Sequence, residues 1–277
     1  MAEPAWVKIQ QKTFTRWVNN FLMERMYRVE NLQTDLSDGL LLINLLEIIS
    51  SRPFPKYNKA PKIQAQRLEN ISFVFSFLVS EGIKLVNIDS SDIASGNLRL
   101  ILGLIWTIIL RFQIQVEGGS SARQDLLNWV RSKIPEYNIN NFTSDWQDGK
   151  AICALGEAVL PGKMKLPKDF SSPVANAKMG MKKASENMGI PEILDAEDMV
   201  DNPDELSIIT YISYFRDFQN SKKVEKLSET LKDEELVETL SLPTKPPPKP
   251  SPPIKNQPEH PTTIPSKTTN TTLPPPS

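Results

Sequence analysis

The chain has 277 residues, of which 39% are hydrophobic, and its formal net charge is −1. That length fits about two domains of ~100–200 residues each, and the near-neutral charge argues against a nucleic-acid binder. Cys153 is the only cysteine, which excludes a disulfide within the chain, and His260 is the only histidine. Because the 11 glycines form no phosphate-binding loop either, we expect no catalytic residue, cofactor or metal, and no enzymatic activity.

The ends and the apolar runs of the chain indicate its compartment. The first ten residues contain no basic segment followed by an apolar one, so they do not resemble a secretion signal. The longest apolar run, residues 100–110, is too short for a membrane-spanning helix, which needs ~20 residues. We therefore expect a cytoplasmic protein that is not transmembrane.

Helical periodicity dominates the first half of the chain. The first apolar stripe has i, i+3, i+4, i+7 spacing and comprises Phe14, Trp17, Val18 and Phe21. It predicts an amphipathic helix with Phe14 and Trp17 in the core. Residues 98–112 form a longer apolar segment that includes Trp106. Strands rarely exceed about ten residues, so this segment predicts a buried central helix with Trp106 in the core.

The second half repeats the first. Asp35-Leu-Ser-Asp38-Gly39 recurs as Asp145-Trp-Gln-Asp148-Gly149, in each case before an apolar helix, and Trp17 has a counterpart in Trp129. A repeat of roughly 110 residues is the size of a domain. The sequence therefore predicts an all-α fold of two tandem domains, each a compact bundle of about four main helices. We place them at residues 6–115 and 122–220, joined by a hinge at 116–121.

The two halves differ in charge. Residues 1–115 contain 13 Lys and Arg against 10 Asp and Glu, a net of +3, whereas residues 119–220 contain 11 against 15, a net of −4. The first half is therefore better suited to an acidic partner surface.

Two helix starts can be predicted in the second half. Asn202-Pro203-Asp204-Glu205 places Asn at a helix cap and Pro at the first helical position. Ser144 and Gln147 have the spacing of a capping box for a helix over 148–159.

The C-terminal part separates into two segments. Residues 221–242 predict a charged helix with apolar positions spaced 3, 4, 5 and 4 apart, namely Val224, Leu227, Leu231, Leu236 and Leu240. Such a helix can bind a partner or pair with itself, or it can be a marginal surface helix, because the heptad slips. Residues 243–277 predict a disordered Pro-rich tail. Pro250, Pro253 and Lys255 fit a polyproline ligand for an SH3-type domain, with a plain spacer as the alternative.

Two long motifs of the first half resemble a known family. Gln10-x-x-Thr13-Phe14-x-x-Trp17-x-Asn19 is similar to the opening signature of the actinin-type actin-binding domain, which consists of two calponin-homology domains in tandem. Residues 82–107 resemble the second signature of that family. Shorter phrases, such as Trp146-Gln-Asp-Gly-Lys150, are most similar to filamins. The resemblance covers roughly residues 6–218 and excludes the tail.

This resemblance implies binding to F-actin and a role in cytoskeletal organisation at the cytoskeleton, extending to cross-linking or bundling of filaments if the chain self-associates. It also implies that the first domain carries most of the filament affinity and that the second tunes it by packing against the first. The implied actin contacts are Trp6, Lys8, Gln11, Lys12, Thr15, Arg16, Lys56, Lys59, Lys62, Arg67, Lys84, Asn87, Asp89, Ser90, Asp92 and Arg99.

Alternatives remain open for parts of this set. Lys56, Lys59, Lys62 and Arg67, which we call the basic loop cluster, suit a phosphoinositide headgroup as well as actin. Trp6 precedes the first amphipathic stripe and can be either a staple to the fold or an exposed anchor. The competing function is a signalling adaptor, in which the helical domains bind another protein or a lipid and the tail recruits an SH3-type partner.

Overall fold

The computed structural model describes residues 3–115, 121–164 and 170–241, with side chains up to residue 228. It contains eleven α-helices and no strand within these ranges. The helices are α1 Ala5–Leu22, α2 Leu32–Asp35, α3 Leu40–Ser50, α4 Gln64–Ser80, α5 Ser90–Ala94, α6 Leu98–Ile109, α7 Ala122–Lys133, α8 Lys150–Val159, α9 Pro173–Met188, α10 Ala196–Asp201 and α11 Glu205–Ser241. Most of the predicted hinge, the predicted tail and its polyproline motif (Pro250, Pro253, Lys255) lie outside the described residues.

The all-α prediction is confirmed. Four long helices, α1, α3, α4 and α6, surround the core of the first half, and α7, α8, α9 and α11 surround that of the second. Phe14 and Trp17 are fully buried, as predicted. Trp106 packs against the core but stays partly exposed, because it lies on the outward side of α6. Residues up to Glu229 form one unit that contains both halves.

The Asp-Gly motif of the first half closes the turn before α3. The Asp35 carboxylate accepts two backbone N–H groups of the preceding turn, each at 2.8 Å, and backbone hydrogen bonds are the main reason that its pKa is lowered. Asp38 accepts the N–H of Leu40 at 2.9 Å. Gly39 has φ +79°, and a Cβ there would lie 2.9 Å from the Asn70 side chain, so glycine is needed for both reasons.

The second half builds the same turn before α8. Asp145 again accepts N–H groups of the preceding turn, at 2.7 and 3.2 Å, and Asp148 accepts the N–H of Lys150 at 2.8 Å. Gly149 has φ +67°, and a Cβ there would lie 2.3 Å from a carbonyl oxygen at the start of α9. Asn176 donates to the Asp148 carbonyl at 3.1 Å, just as Asn70 donates to that of Asp38 at 3.1 Å. The repeat therefore extends to individual hydrogen bonds.

The two predicted helix starts are wrong in detail. Helix α11 begins at Glu205, and Asp204 rather than Asn202 caps it, accepting the N–H of Ser207 at 2.9 Å. The cap moves because an aspartate two residues further on is an equally good acceptor. Before α8 no capping box forms, since Gln147 donates instead to the carbonyl of Val200 at 2.8 Å.

Candidate functional site

Two cations of α1 bind carboxylates of the second half. Lys12 Nζ lies 2.8 Å from Asp195 Oδ2 and also contacts Asp198, while Arg16 Nη1 lies 2.5 Å from Asp195 Oδ1. We call these four residues the rim cluster. Lys12 and Arg16 meet the same carboxylate because residues four apart share one face of a helix. All four side chains keep solvent contact, with exposed fractions of 19–44%.

The rim cluster holds its members in their charged forms. Partial burial disfavours the charge of Lys12, but hydrogen bonds and attraction from Asp195 and Asp198 outweigh it and raise the Lys12 pKa. For Asp195, burial acts toward a higher pKa, and the contacts with Arg16 and Lys12 overcome it and lower the pKa. Because the cluster is half-exposed, each of its ion pairs contributes only ~0–1 kcal/mol to stability.

A second set of polar contacts connects the end of α6 to α1 and to α11 and is largely buried. The indole N–H of Trp17 donates to Gln113 Oε1, and Gln113 Nε2 donates to Ser213 Oγ at 2.7 Å. Arg216 Nη2 donates to the carbonyl of Ile114 at 2.6 Å, and the Arg216 residue is only 5% exposed. We call Trp17, Gln113, Ser213 and Arg216 the interior cluster. Burial lowers the pKa of Arg216.

The interior cluster joins the ends of both domains. Gln113 and Ile114 belong to the π-helical turn Leu110–Ile114 that continues α6, whereas Ser213 and Arg216 lie on α11. Arg216 therefore satisfies a carbonyl at the C-terminal end of α6, where a cation is favoured. Gln10 adds a further contact from α1 to the α11 cap, with 2.9 Å between its Nε2 and Asp204 Oδ1.

A cleft of about 620 Å³ runs beside the rim cluster. Its α1 wall contains most of the implied actin contacts between Trp6 and Arg16. Its lining residues are Ala5, Lys8, Ile9, Gln11, Lys12, Thr15, Arg16, Glu30, Asp198 and Asn202. Lys8 is exposed, Gln11 and Thr15 are half-buried, and the Thr15 hydroxyl donates to the Gln11 carbonyl at 2.7 Å.

Trp6 and Arg99 meet at the N-terminal end of α1. The Arg99 guanidinium lies 6.0 Å from the centre of the Trp6 ring, and Glu3 lies 4.0 Å from Arg99. Trp6 is 42% exposed. It packs on Arg99 and still presents a large apolar surface to solvent, so both roles left open by the sequence stay predictions. The implied actin contacts at the start of α1 and those of residues 84–99 are thereby brought together at Trp6 and Arg99.

Several implied actin contacts between residues 84 and 99 form hydrogen bonds within the first domain. Asp89 accepts the N–H groups of Ser91 at 2.7 Å and Asp92 at 3.2 Å, and Asp92 accepts the N–H of Asp89 at 2.9 Å. Together they form a capping box on α5. Hydrogen bonds from Ser91 are the largest cause of the lowered pKa of Asp89. Ser90 Oγ lies 3.0 Å from an α4 hydroxyl.

The exposed members of that segment are therefore fewer. Lys84, Asn87 and Arg99 are exposed without serving as caps, and Asn87 has φ +52°. Asn adopts the left-handed region more readily than other non-Gly residues. Together with Asp89, which is exposed although it caps α5, the segment thus offers two cations, one amide and one carboxylate to a partner.

The basic loop cluster lies before and within the first turn of α4. All four of its side chains are exposed, and none makes an ion pair within the described part of the chain. The loop backbone is fixed because Asn58 N–H donates to Asn70 Oδ1 at 2.8 Å and Lys62 N–H to Gln66 Oε1 at 2.7 Å. The four charges therefore extend into solvent from an ordered loop.

Sequence reasoning missed the second-half side of the interface. Asp195, Asp198 and Asp204 are the acids that contact α1. The available signal was the density of acids between residues 195 and 205, where six lie within eleven positions. These six account for much of the negative net charge of the second half. Gln113, Ser213 and Arg216 gave no signal, because nothing local distinguishes them from ordinary helical polar residues.

Other classes of site find little support in the part of the chain that the structure describes. No cluster of three or more His, Cys, Asp or Glu side chains there could hold a metal ion. Likewise, none of the helices searched is both long and apolar enough to cross a membrane. Burial raises the pKa of the Cys153 thiol to about 11, which is unsuitable for a nucleophile.

The architecture is therefore that of a helical tandem whose two similar domains meet through α1, the end of α6 and α11. The calponin homology (CH) domain family matches residues 8–114 and 120–221. The chain belongs to this family and contains the domain twice.

Curated relatives share the tandem region. Filamin-A from Drosophila melanogaster is 47% identical over 234 residues, covering 78% of this chain and 10% of the relative. Alpha-actinin-like protein 1 from Schizosaccharomyces pombe is 42% identical over 231 residues, covering 79% and 37%. Interaptin from Dictyostelium discoideum is 41% identical over 225 residues, covering 76% and 13%. The chain thus spans well under half the length of these relatives.

A solved structure shares the fold. The actin-crosslinking core of Schizosaccharomyces pombe fimbrin superposes with a TM-score of 0.65, covering 77% of this chain and 49% of that one. Its sequence identity is 20%, so the likeness concerns the fold alone.

Proposed function

We propose that this protein binds F-actin at the cytoskeleton through its first CH domain, and that the second CH domain lowers the affinity by packing against the first. The single observation that carries the proposal is the rim cluster. Lys12 and Arg16, two implied actin contacts, are engaged by Asp195 and Asp198 of the second domain. An acidic filament surface would compete for the same two cations.

The remaining implied contacts support the same surface. Trp6 presents apolar area next to Arg99, and Lys8 and Lys84 are exposed on the same domain. These residues add positive charge and an exposed aromatic side chain to the first domain, which is the composition expected of a binding hot spot on an acidic partner. Asp89 and Asp92 also shape α5 through its capping box, and the Asp89 side chain remains exposed to a partner.

While the rim cluster is intact, which we call the closed arrangement, Lys12 and Arg16 are not available to a filament. If the filament engages Lys12 and Arg16, the rim cluster must open, and the apparent affinity falls by the fraction of molecules that are open. A partner that binds both arrangements equally would not shift this equilibrium. The second domain thus acts through the population of open molecules.

Cosedimentation with purified actin filaments tests the proposal. We expect the wild-type chain in the pellet and a Lys84→Glu, Arg99→Glu variant in the supernatant, with circular dichroism showing that the variant is folded. The matched control is Lys163→Glu, Lys182→Glu, which reverses two exposed lysines of the second domain and should pellet like wild type. Wild type that stays soluble at tens of micromolar actin and low salt would overturn the proposal.

A second candidate rests on the basic loop cluster. Its exposed charges, held on an ordered loop and free of ion pairs in the described part of the chain, suit a phosphoinositide headgroup. Flotation with vesicles containing phosphatidylinositol bisphosphate tests this, compared with vesicles of equal charge made from phosphatidylserine. Equal binding to both would leave only general electrostatic attraction. The adaptor function with an SH3-type partner depends on Pro250, Pro253 and Lys255, outside the described residues.

A further inference from the structure

Two methionine side chains are exposed at the C-terminal end of α1. Met23 is 70% exposed and Met26 is 94% exposed. The other methionines that the structure describes lie in the second domain, half-buried at Met179 and no more than 8% exposed at Met164, Met181, Met188 and Met199. Methionine is usually a core residue, so packing does not account for two exposed ones within four positions.

Met23 lines a cleft between the two domains. It follows Arg16 by seven residues, or two helical turns, so the two side chains share one face of the helix. That face forms the first-domain wall of a cleft of about 270 Å³, and Pro191 and Ile193 belong to the second-domain wall. Met26 ends the turn that follows α1 and does not line this cleft. The two exposed methionines therefore differ in their surroundings.

The cleft adjoins the rim cluster through Arg16. The guanidinium of Arg16 binds Asp195, with 2.5 Å between Nη1 and Oδ1, and the same side chain lines the cleft beside Met23. A chemical change at Met23 therefore takes place next to an ion pair that belongs to the closed arrangement.

We propose that hydrogen peroxide oxidises Met23 to methionine sulfoxide, and that the sulfoxide shifts the tandem away from the closed arrangement. The thioether sulfur donates an electron pair to one peroxide oxygen, a sulfur–oxygen bond forms and the O–O bond breaks. The departing hydroxide takes the proton from the transferred oxygen and becomes water. Sulfur is thus oxidised by two electrons and the peroxide is reduced. Methionine sulfoxide reductases return the sulfoxide to the thioether.

Oxidation changes what the Met23 side chain can do in the cleft. It converts an apolar side chain into a polar one, which makes a position beside Pro191 and Ile193 less favourable. The sulfoxide oxygen is also an acceptor, and the Arg16 guanidinium is one of the donors that line the cleft. An Arg16 that donates to the sulfoxide binds Asp195 less strongly. Because Met23 is already largely exposed, the population of open molecules rises only about two- to threefold.

The reactivity is tested by peptide mass spectrometry after brief peroxide treatment of the full chain. We expect the sulfoxides of Met23 and Met26 to form at least about tenfold faster than that of Met199, which is 0% exposed. In urea the three residues should react at similar rates, because nothing covers them. A Met23 that reacts no faster than Met199 in the folded chain would overturn the site.

Hydrogen–deuterium exchange of residues 191–201 tests the opening without filaments. These residues form part of the opposite wall and of α10, so their amides report separation of the domains and not a change within α1. We expect their exchange to rise about twofold after oxidation of the wild-type chain. Met23→Leu keeps an apolar side chain of similar volume but cannot form a sulfoxide, and it should show no rise. The matched control, Met26→Leu, removes the more exposed methionine and should respond like wild type.

Two further measurements separate oxidation of Met23 from other effects of peroxide. Met23→Gln introduces a polar side chain without peroxide and should reproduce the rise in exchange, and a methionine sulfoxide reductase should reverse the rise in the oxidised wild type. A rise that persists in Met23→Leu, or that is lost in Met26→Leu, would overturn the assignment to Met23. Unchanged exchange in a chain whose Met23 is fully oxidised would overturn the effect on domain packing.

The consequence for filaments rests on the proposed function. The chain is oxidised first and freed of peroxide with catalase, so that actin itself is not oxidised, and is then cosedimented with filaments. Affinity should rise about twofold in wild type and stay unchanged in Met23→Leu. Wild type that binds in neither state would overturn the proposed function and leave the exchange result standing. Increased exchange with unchanged affinity would overturn the regulatory role of Met23 alone.

Discussion

The interior cluster and the rim cluster join the same two domains but differ in their surroundings. In the interior, Arg216 and Gln113 donate to partners from which water is excluded. At the rim, Lys12 and Arg16 meet Asp195 and Asp198, and all four residues still contact solvent. A buried donor that loses its partner costs more than an exposed ion pair gains. The interior therefore determines whether the domains pack, and the rim adjusts how readily they separate.

The largest effect should come from Arg216→Leu. The change removes the hydrogen bond to the Ile114 carbonyl and leaves that carbonyl buried, so we expect the free energy of unfolding to fall by about 3 kcal/mol. Urea denaturation followed by circular dichroism measures it. Arg28→Leu, at an arginine whose side chain is 73% exposed, is the control and should change stability by less than about 0.5 kcal/mol. If Arg216→Leu and Arg28→Leu changed the free energy of unfolding equally, the buried contact of Arg216 would contribute no more than an exposed side chain.

Gln113→Ala should have the next largest effect. It removes the acceptor of the Trp17 indole N–H and the donor to Ser213 Oγ, which keeps its own hydrogen bond to the Thr210 carbonyl, and we expect a cost of about 2 kcal/mol. Gln124→Ala, which removes an exposed hydrogen bond on α7, should cost far less. Trp17 fluorescence should also shift to longer wavelength if water reaches the indole, which would not occur in the control.

Asp217 tests the interior through pH. Burial is the main cause of its pKa rise from 3.8 to about 6. Between those values the unfolded chain has lost the proton that the folded protein keeps, so stability falls as the pH rises and stays lower above pH 6. We expect Asp217→Asn to increase the free energy of unfolding by about 1–2 kcal/mol at pH 7.5.

The same variant should gain less at pH 4.5, where the folded protein still holds the proton. Asp201→Asn, at an exposed position of the second domain, removes the same charge and is the control. A gain for Asp217→Asn that is constant from pH 4.5 to 7.5 would contradict the burial of this carboxyl group.

Changes in the rim cluster should have the smallest effect on the free energy of unfolding and the largest effect on filament affinity. Asp195→Asn, Asp198→Asn should lower the free energy of unfolding by less than about 1 kcal/mol. Filament affinity should nevertheless rise by about fivefold, because more molecules are open. Glu136→Gln, Glu186→Gln makes the same charge change at exposed acids and serves as the control in cosedimentation. The difference between the two variants should shrink in high salt.

Much of the fold can be predicted from local patterns. The stripe from Phe14 to Phe21 identifies α1, and the repeated Asp-Gly motif identifies two copies of one domain, because these signals lie within a few turns of chain. The cap of α11 was misplaced by two residues, from Asn202 to Asp204, since several neighbouring side chains can serve as acceptors. Trp106 was placed in the core although its side of α6 is partly exposed.

The candidate site was less predictable because its contacts join distant parts of the sequence. Lys12 and Asp195 are 183 residues apart, and no periodicity connects them. The opposite net charges of the two halves indicated that the first half suits an acidic partner, but not that its cations contact acids of the second half. Likewise, the sequence alone does not reveal that Asp89 and Asp92 cap a helix while Lys84 and Arg99 remain exposed.

The buried thiol of Cys153 makes the protein convenient for optical probes. Its sulfur is covered, it donates to the Asn176 carbonyl at 3.3 Å, and its pKa of about 11 leaves almost no thiolate at neutral pH. Maleimide dyes would therefore react with cysteines introduced at the surface and leave the native one unlabelled. A donor and an acceptor placed at Lys8 and Lys182, one on each CH domain, would report opening of the tandem molecule by molecule, with the wild-type cysteine retained.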